Sequence, residues 1–282
     1  MNWLTNFVRP KIRALVGNEV PDNLWEKCPK CEQMVFRKEL CSNLRVCPHC
    51  DYHMKIGVDE RIACLFDDGE FAKIPYNHCV SDPLKFKDTK RYSDRLKAAR
   101  ESDGKNEAAV VGYGKIGGHK TVAIVFSFEF MGGSMGTSVG EAFIAAAEYA
   151  ISKGYSFLVV PCSGGARMQE GIFSLMQMPR TVVAVNKVKE SGLPYIVLLT
   201  NPTTGGVSAS FAMLGDIHIA EPEALVAFTG PRVIEGTIRE KLPDGFQLSE
   251  YLFNHGMVDM VVHRKDLKDN IAKILGILTH KK

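Results

Sequence analysis

Two Cys-x-x-Cys pairs near the amino terminus restrict this chain more than any other feature. Cys28 and Cys31 are followed, after fifteen residues, by Cys47 and Cys50, in a stretch too short to build a core of its own. Two thiolates on each of two tight turns can converge on one tetrahedral zinc, and the spacing falls within the pattern of such sites. With four cysteine ligands the metal keeps no open position, so the expected zinc is structural. A disulfide framework would need a secretory route. Residues 1–20 mix Arg9, Lys11 and Arg13 with Trp3, Leu4, Phe7 and Ile12, without an apolar block or small-residue cleavage site. No signal peptide is therefore expected, and a cytoplasmic location is the default. A thioredoxin-like redox pair would want one Cys-x-x-Cys in a βαβ setting. Cys41 fits no ligand spacing; Cys64, Cys79 and Cys162, and Cys41 if buried, read as small core residues.

The 282 residues divide by composition into an arm (1–25), the metal module (26–55) and a larger domain (56–282). The module depends on its ion for folding, whereas the larger domain can bury a core, since the chain is 45% hydrophobic and 24% charged. A net charge of +3 is too small to argue for nucleic acid or a membrane surface. The longest apolar runs, such as 157–162, are strand-length, so no membrane span is expected. Residues 56–105 are charged and helix-like. The eight basic and four acidic residues of 85–105 read as a solvated helical face.

From residue 121 onward strand and helix signals alternate, which predicts α/β architecture. Strands are expected at 121–128, 157–161, 195–200, 217–220 and 225–228. A helix over 141–153 closes on Gly154, and a short one covers 207–214. A further helix begins near Gly171, which Pro179 kinks or restarts. A helix then a strand are expected within 249–262, and an amphipathic helix over 266–278. Twice a strand runs through a glycine pair into a helix, at Gly164-Gly165 and at Gly205-Gly206. A glycine pair admits unusual backbone angles and lets a ligand approach the peptide, while the helix start offers unsatisfied N–H groups. Two such turns facing one pocket would form an oxyanion hole. Rossmann and P-loop glycine patterns fail on order, and no nucleophile elbow surrounds Ser163. His218, in a short apolar strand, reads as a satisfied core residue.

The segment Ser163-Gly164-Gly165-Ala166-Arg167-Met168-Gln169-Glu170-Gly171, with Phe130-Met131-Gly132-Gly133-Ser134-Met135-Gly136 before it, resembles the carboxyltransferase signature of biotin-dependent acyl-CoA carboxylases. Together with the four-cysteine ribbon it is similar to the beta-subunit family of bacterial and plastid acetyl-CoA carboxylase carboxyltransferases. Residues 202–207, 228–234 and 251–259 add to the likeness, which runs from about Trp25 onward. The resemblance implies a crotonase-like (ClpP/crotonase) spiral of ββα units behind an N-terminal zinc ribbon. It also implies carboxyl transfer from carboxybiotin, borne by a biotin carboxyl carrier protein, to acetyl-CoA, giving malonyl-CoA for fatty acid synthesis. Biotin's ureido nitrogen would serve as base. Gly205 and Gly206 match the family's oxyanion turn, and Gly164 and Gly165 the first turn of the acyl-CoA pocket. A homologous alpha subunit would complete the pocket in a heterotetramer of two alpha and two beta subunits, working with biotin carboxylase. Arg167 would pair with Glu170 or with a phosphate, and the structural pairing with Glu170 is the one expected.

Two other readings remain at this stage. An enoyl-CoA hydratase-like enzyme on the same fold would want paired carboxylates, and none follows Gly206 before Asp216. A nucleic-acid-binding regulator would use the ribbon and its neighbours Lys27, Lys30, Arg37, Lys38 and Arg45. Nine basic residues against six acidic ones in 1–56 make a weak footprint for it.

Overall fold

The computed structural model describes residues 24–77 and 79–279, in two compact units that part between Met54 and Lys55. The arm expected over 1–25 lies almost wholly outside the described residues. In the first unit, β1 (Trp25–Lys27) and β2 (Met34–Phe36) form an antiparallel pair followed by α1 (Arg37–Ser42). Its buried cluster is only Cys28, Val35, Leu40, Cys47 and Met54. So small a core leaves most of the stability to whatever joins the sulfurs.

The second unit is built on a seven-stranded sheet. After α2 (Val58–Leu65) come the edge strand β3 (Ala72–Lys73), α3 (Tyr92–Asp103), and the hairpin β4 (Ala109–Ile116) and β5 (His119–Phe126). Residues 56–105 are thus less helical than their charge suggested. In α3 the charged residues Asp94, Lys97, Arg100 and Glu101 are exposed, while Tyr92 and Leu96 are buried. The hairpin closes on Gly117-Gly118, both at positive φ, whose amides donate to the Asp67 carboxylate at 3.0 and 2.8 Å.

Beyond the hairpin the chain spirals. Helix α4 (Thr137–Lys153) leads to β6 (Ser156–Val160), and α5 (Ile172–Leu175) with α6 (Gln177–Glu190) leads to β7 (Tyr195–Leu199). Pro179 falls in the first turn of α6, where its missing N–H would have had no helical acceptor, so it begins a helix rather than kinking one. Next come β8 (Thr203–Thr204), α7 (Gly205–Ser208), β9 (Ile217–Ala220), β10 (Val226–Ala227) and α8 (Pro231–Ile238). The last elements are α9 (Ser249–Asn254), β11 (Met260–Val261) and α10 (Leu267–Thr279). Helix α7 starts at the glycine pair itself and spans four residues, shorter than the helix expected over 207–214.

The large sheet runs β11-β9-β7-β6-β5-β4-β3, parallel from β11 to β5. Alternation places Val122, Ile124, Phe157, Val159, Tyr195 and Val197 on one face, against α4 and α6. Ala123, Val125, Leu158, Val160, Ile196 and Leu198 fill the other, against α2 and α10. Burial on both faces explains why β6 and β7 read as unbroken apolar runs. A second, minor layer pairs β8 with β10 and continues through the bridges Ser163–Thr203 and Met135–Ala166. Each turn of the spiral therefore gives one strand to the large sheet and a short one to the minor layer, the crotonase-like arrangement.

An ion triad ties α2, the end of β9 and the segment after β11. Glu221 accepts from Arg61 at 2.6 Å and from Arg264 at 2.6 and 2.7 Å, with all three side chains almost fully buried. Burial alone would raise the Glu221 pKa, but the charges and hydrogen bonds of Arg61 and Arg264 outweigh it and hold the carboxyl well below its usual range. Glu221→Gln is expected to cost about 3 kcal/mol, seen as a lower denaturant midpoint, because two guanidiniums lose their buried counter-charge. An unfolded glutamate titrates near 4.3. The triad's contribution is therefore complete above about pH 4.3 and is lost as pH falls toward the depressed folded value. Midpoints measured from pH 6 down to pH 3 should fall less steeply in the variant than in the parent chain.

Candidate functional site

The four cysteines of the first unit come together as their spacing predicts. All four sulfurs lie within 4.8 Å of one another, with Cys28–Cys50 and Cys31–Cys47 separations of 3.7 and 3.8 Å. A tetrahedron of sulfurs about 2.3 Å from a central zinc has edges of about 3.8 Å. The donor set fits one structural zinc and no catalytic one. Cys64 and Cys162 are partly buried and pack against the two cores as expected, Cys79 is partly covered without joining either cluster, and Cys41 is exposed, so its condition for a core reading is not met.

In the second unit the turns leaving β5, β6 and β7 meet at the carboxyl ends of the parallel strands, where α/β sheets place their ligands. The glycine pairs lie back to back. A methyl on Gly165 (φ +114°) would sit 3.2 Å from Gly205 Cα, and one on Gly205 (φ +62°) would sit 3.1 Å from Gly165 Cα. No other residue tolerates both the backbone angles and the approach.

Three of the four glycine amides are committed inside the protein. Gly164 N–H donates to Gly132 O (2.9 Å), Gly165 N–H to Ser163 Oγ (3.0 Å) and Gly205 N–H to Phe228 O (3.0 Å). Among the described residues, the amide of Gly206 has no acceptor, and neither has that of Ala166. The Ala166 case follows from pairing. Met135 N–H donates to Gly165 O (2.8 Å) and Arg167 N–H to Met135 O (2.9 Å), so the intervening Ala166 amide faces the opposite side. That side holds Gly206, whose Cβ position lies 3.6 Å from Ala166 N. The two packed turns thus carry one uncommitted amide each, with Ala166 in place of Gly164 or Gly165.

Other candidate groups are occupied. The Ser163 hydroxyl is buried and accepts from Gly165, so it is no nucleophile. Glu141 pairs with Arg180 at 2.5 Å, and Glu170 accepts from Tyr92 OH (2.6 Å) and Thr137 N–H (2.7 Å). Two of the acids a hydratase could call on, Glu141 and Glu170, are thus engaged elsewhere. His218 accepts from Gly215 N–H through Nε2 at 3.1 Å, and burial lowers its pKa against the raising effect of Asp259. In the ribbon, Arg45 is held by Glu26 and Lys27 by Glu32, which takes two cations from any phosphate footprint.

Arg167 keeps its expected pairing with Glu170 and takes a second acid besides. Glu170 Oε1 is 3.4 Å from Nη1, but the closer partner is Glu107, which takes both terminal nitrogens, one of them at 3.1 Å. Glu107 escaped the sequence reading because sixty residues separate it from Arg167. Its place beside Ala108 at the start of a buried strand was the only available signal.

The sequence matches the family described as "Carboxyl transferase domain" over residues 60–279, and the "Acetyl-CoA carboxylase zinc finger domain" over residues 25–50. A Gluconacetobacter diazotrophicus protein named acetyl-coenzyme A carboxylase carboxyl transferase subunit beta is 54% identical over 281 residues, covering 100% of this chain and 94% of that protein. A Rhizobium etli protein of the same name is 56% identical over 282 residues, with the same coverage. Among solved structures, transcarboxylase 12S with hydrolysed methylmalonyl-coenzyme A bound is similar, with TM-score 0.62 and 30% identity over 78% of this chain. The alignment spans 41% of the transcarboxylase chain, well under half its length. A Pseudomonas malonate decarboxylase hetero-dimer chain aligns with TM-score 0.60 at 21% identity, covering 79% of this chain and 86% of that one, a likeness of fold.

Proposed function

Since the chain belongs to the carboxyl transferase domain family, we propose that it acts as the beta subunit of an acetyl-CoA carboxylase carboxyltransferase. The reaction moves a carboxyl group from carboxybiotin to acetyl-CoA. The N–C bond of carboxybiotin breaks, the ureido nitrogen left behind takes a proton from the acetyl methyl, and the resulting enolate carbon forms the new bond to the carboxyl carbon. The chain's part is to hold the thioester oxygen as it becomes negative. The reading is supported by the two packed turns, each of which carries one uncommitted amide, Ala166 and Gly206. Fixed donors aimed at a developing oxyanion each contribute about 3–4 kcal/mol. No side-chain base is needed, in keeping with the committed state of Glu141 and Glu170.

The zinc is structural and takes no part in transfer. A second subunit of the same fold, the alpha subunit, completes the pocket, and the biotin carboxyl carrier protein brings the carboxyl group charged by biotin carboxylase. Support for a partner at this place comes from the run after the signature turn. Met168, Ile172, Phe173, Leu175 and Met176 are 41–64% exposed. Met176 also lines an apolar groove of about 360 Å³ between α4 and α6. So much exposed apolar surface beside a site marks a surface that is covered in use.

The test mixes the chain, with and without the alpha subunit, with malonyl-CoA and biocytin and follows acetyl-CoA formation. Acetyl-CoA should appear only in the mixture. Full-rate transfer by the chain alone would refute the shared pocket, and none in the mixture would refute the reaction.

A further inference from the structure

We infer that Arg167 is a positioning residue for carboxyl transfer: its buried guanidinium sets the direction of the Ala166 amide without touching substrate. The inference rests on the reading of the Ala166 and Gly206 amides given above.

The Ala166 amide points away from the Met135 segment and toward Gly206 because both its neighbours bond to Met135. Those two main-chain bonds are short of a strand, and a lone bridge has little resistance to peptide rotation. Arg167 supplies the missing resistance. Its side chain folds back along the same partner segment, where Nε donates to Ser134 Oγ (3.1 Å) and Nη2 to Ser134 O (2.8 Å). The segment preceding α4 is therefore gripped by Arg167 through main chain and side chain together. Turning the Ala166 peptide would require both grips to release.

The guanidinium is in turn fixed by buried side chains. Glu107 takes both terminal nitrogens, and its Oε1 also accepts from Ala108 N–H at 2.9 Å. Tyr92 OH accepts from Nη1 at 3.1 Å and donates to Glu170 Oε1 at 2.6 Å. Glu170 Oε2 accepts from Thr137 N–H at 2.7 Å, at the start of α4, where the helix dipole favours its charge. Every guanidinium donor direction is used, and the side chain is fully buried. Even the packing is closed, since a methyl on Gly136 would lie 2.4 Å from Glu170 Oε1 and 3.0 Å from Arg167 Nη1.

Fold stability alone is a poor reason for this cluster. Two carboxylates and a guanidinium buried together are often no better than apolar side chains of the same volume. What the cluster supplies is direction, because a planar fork held at each nitrogen cannot swing. Aim matters to an oxyanion donor, for which a misplacement of about 1 Å can cost about a hundredfold in rate. Lysine would keep the charge and lose the fork.

The experiment compares Arg167→Lys and Glu107→Gln with the unsubstituted chain, each assembled with the alpha subunit, in acetyl-CoA formation from malonyl-CoA and biocytin. For R167K, kcat per mole of assembled complex should fall about a hundredfold, with the malonyl-CoA KM unchanged. E107Q keeps the volume and an acceptor but loosens the guanidinium, and should show a smaller loss confined to kcat. It decides the matter if R167K does not fold. Either variant, once assembled, overturns the inference by keeping the unsubstituted kcat with only a lower melting temperature, or by raising KM at constant kcat. Failure of the unsubstituted assembly to make acetyl-CoA is a separate result, which removes the reading beneath the inference.

Discussion

Replacing Gly206 by alanine should lower the turnover of the assembled carboxyltransferase by between about a hundredfold and a thousandfold, with little change in melting temperature. The backbone at Gly206 lies outside the positive-φ region, so an L-residue is not strained there. The new methyl would meet the flexible end of Met178 at 3.1 Å, which can yield, but it would also stand 3.6 Å from Ala166 N. It therefore fills the space between the two uncommitted donors while leaving the fold intact. Alanine at Gly165 or Gly205 is a different change. Both sit at positive φ against the other turn's backbone, so those variants should lose stability as well as rate. Comparing kcat with melting temperature across the three positions separates the free donors from the turns that hold them.

Removing zinc should unfold the first unit and leave the second intact. The ribbon has five buried residues in its cluster, two of them metal-binding cysteines, and strands of only three residues. Zinc bound to four thiolates contributes about 10–16 kcal/mol of apparent binding free energy, which in so small a unit is folding free energy. The sheet of the second unit has its own buried cores on both faces. After chelation, amide hydrogen exchange should lose protection across residues 28–54 while β5, β6 and β7 keep theirs. The double variant Cys28→Ser with Cys47→Ser should behave as the chelated chain does. Retained ribbon protection without metal would show that its core suffices alone.

The zinc ligands were legible because a metal site is written in short spacings that tertiary context does not alter. Strands β6 and β7 were legible for a related reason: a strand buried on both faces has to be apolar at every position. The glycine turns were visible too, but the choice among their amides was not. Whether Gly164 or Ala166 keeps a free N–H depends on the bonds from Gly132 and Met135, which belong to a different turn some thirty residues earlier. Arg167 shows the same limit. Its local acid Glu170 was nameable at helical spacing, whereas Glu107 reaches it only through the fold. Charge misled where it was read as structure, since residues 56–105 hold two helices separated by an edge strand and irregular chain.

A bound thioester reports directly on the donors. Acetyl-CoA labelled with carbon-13 at the thioester carbonyl, bound to the assembled enzyme, can be followed by isotope-edited infrared difference spectroscopy. Two amides aimed at that oxygen should move the carbonyl stretch below its value in water, and Gly206→Ala should return most of the shift. A stretch unmoved from water in the parent enzyme, or moved equally in the variant, would contradict the account.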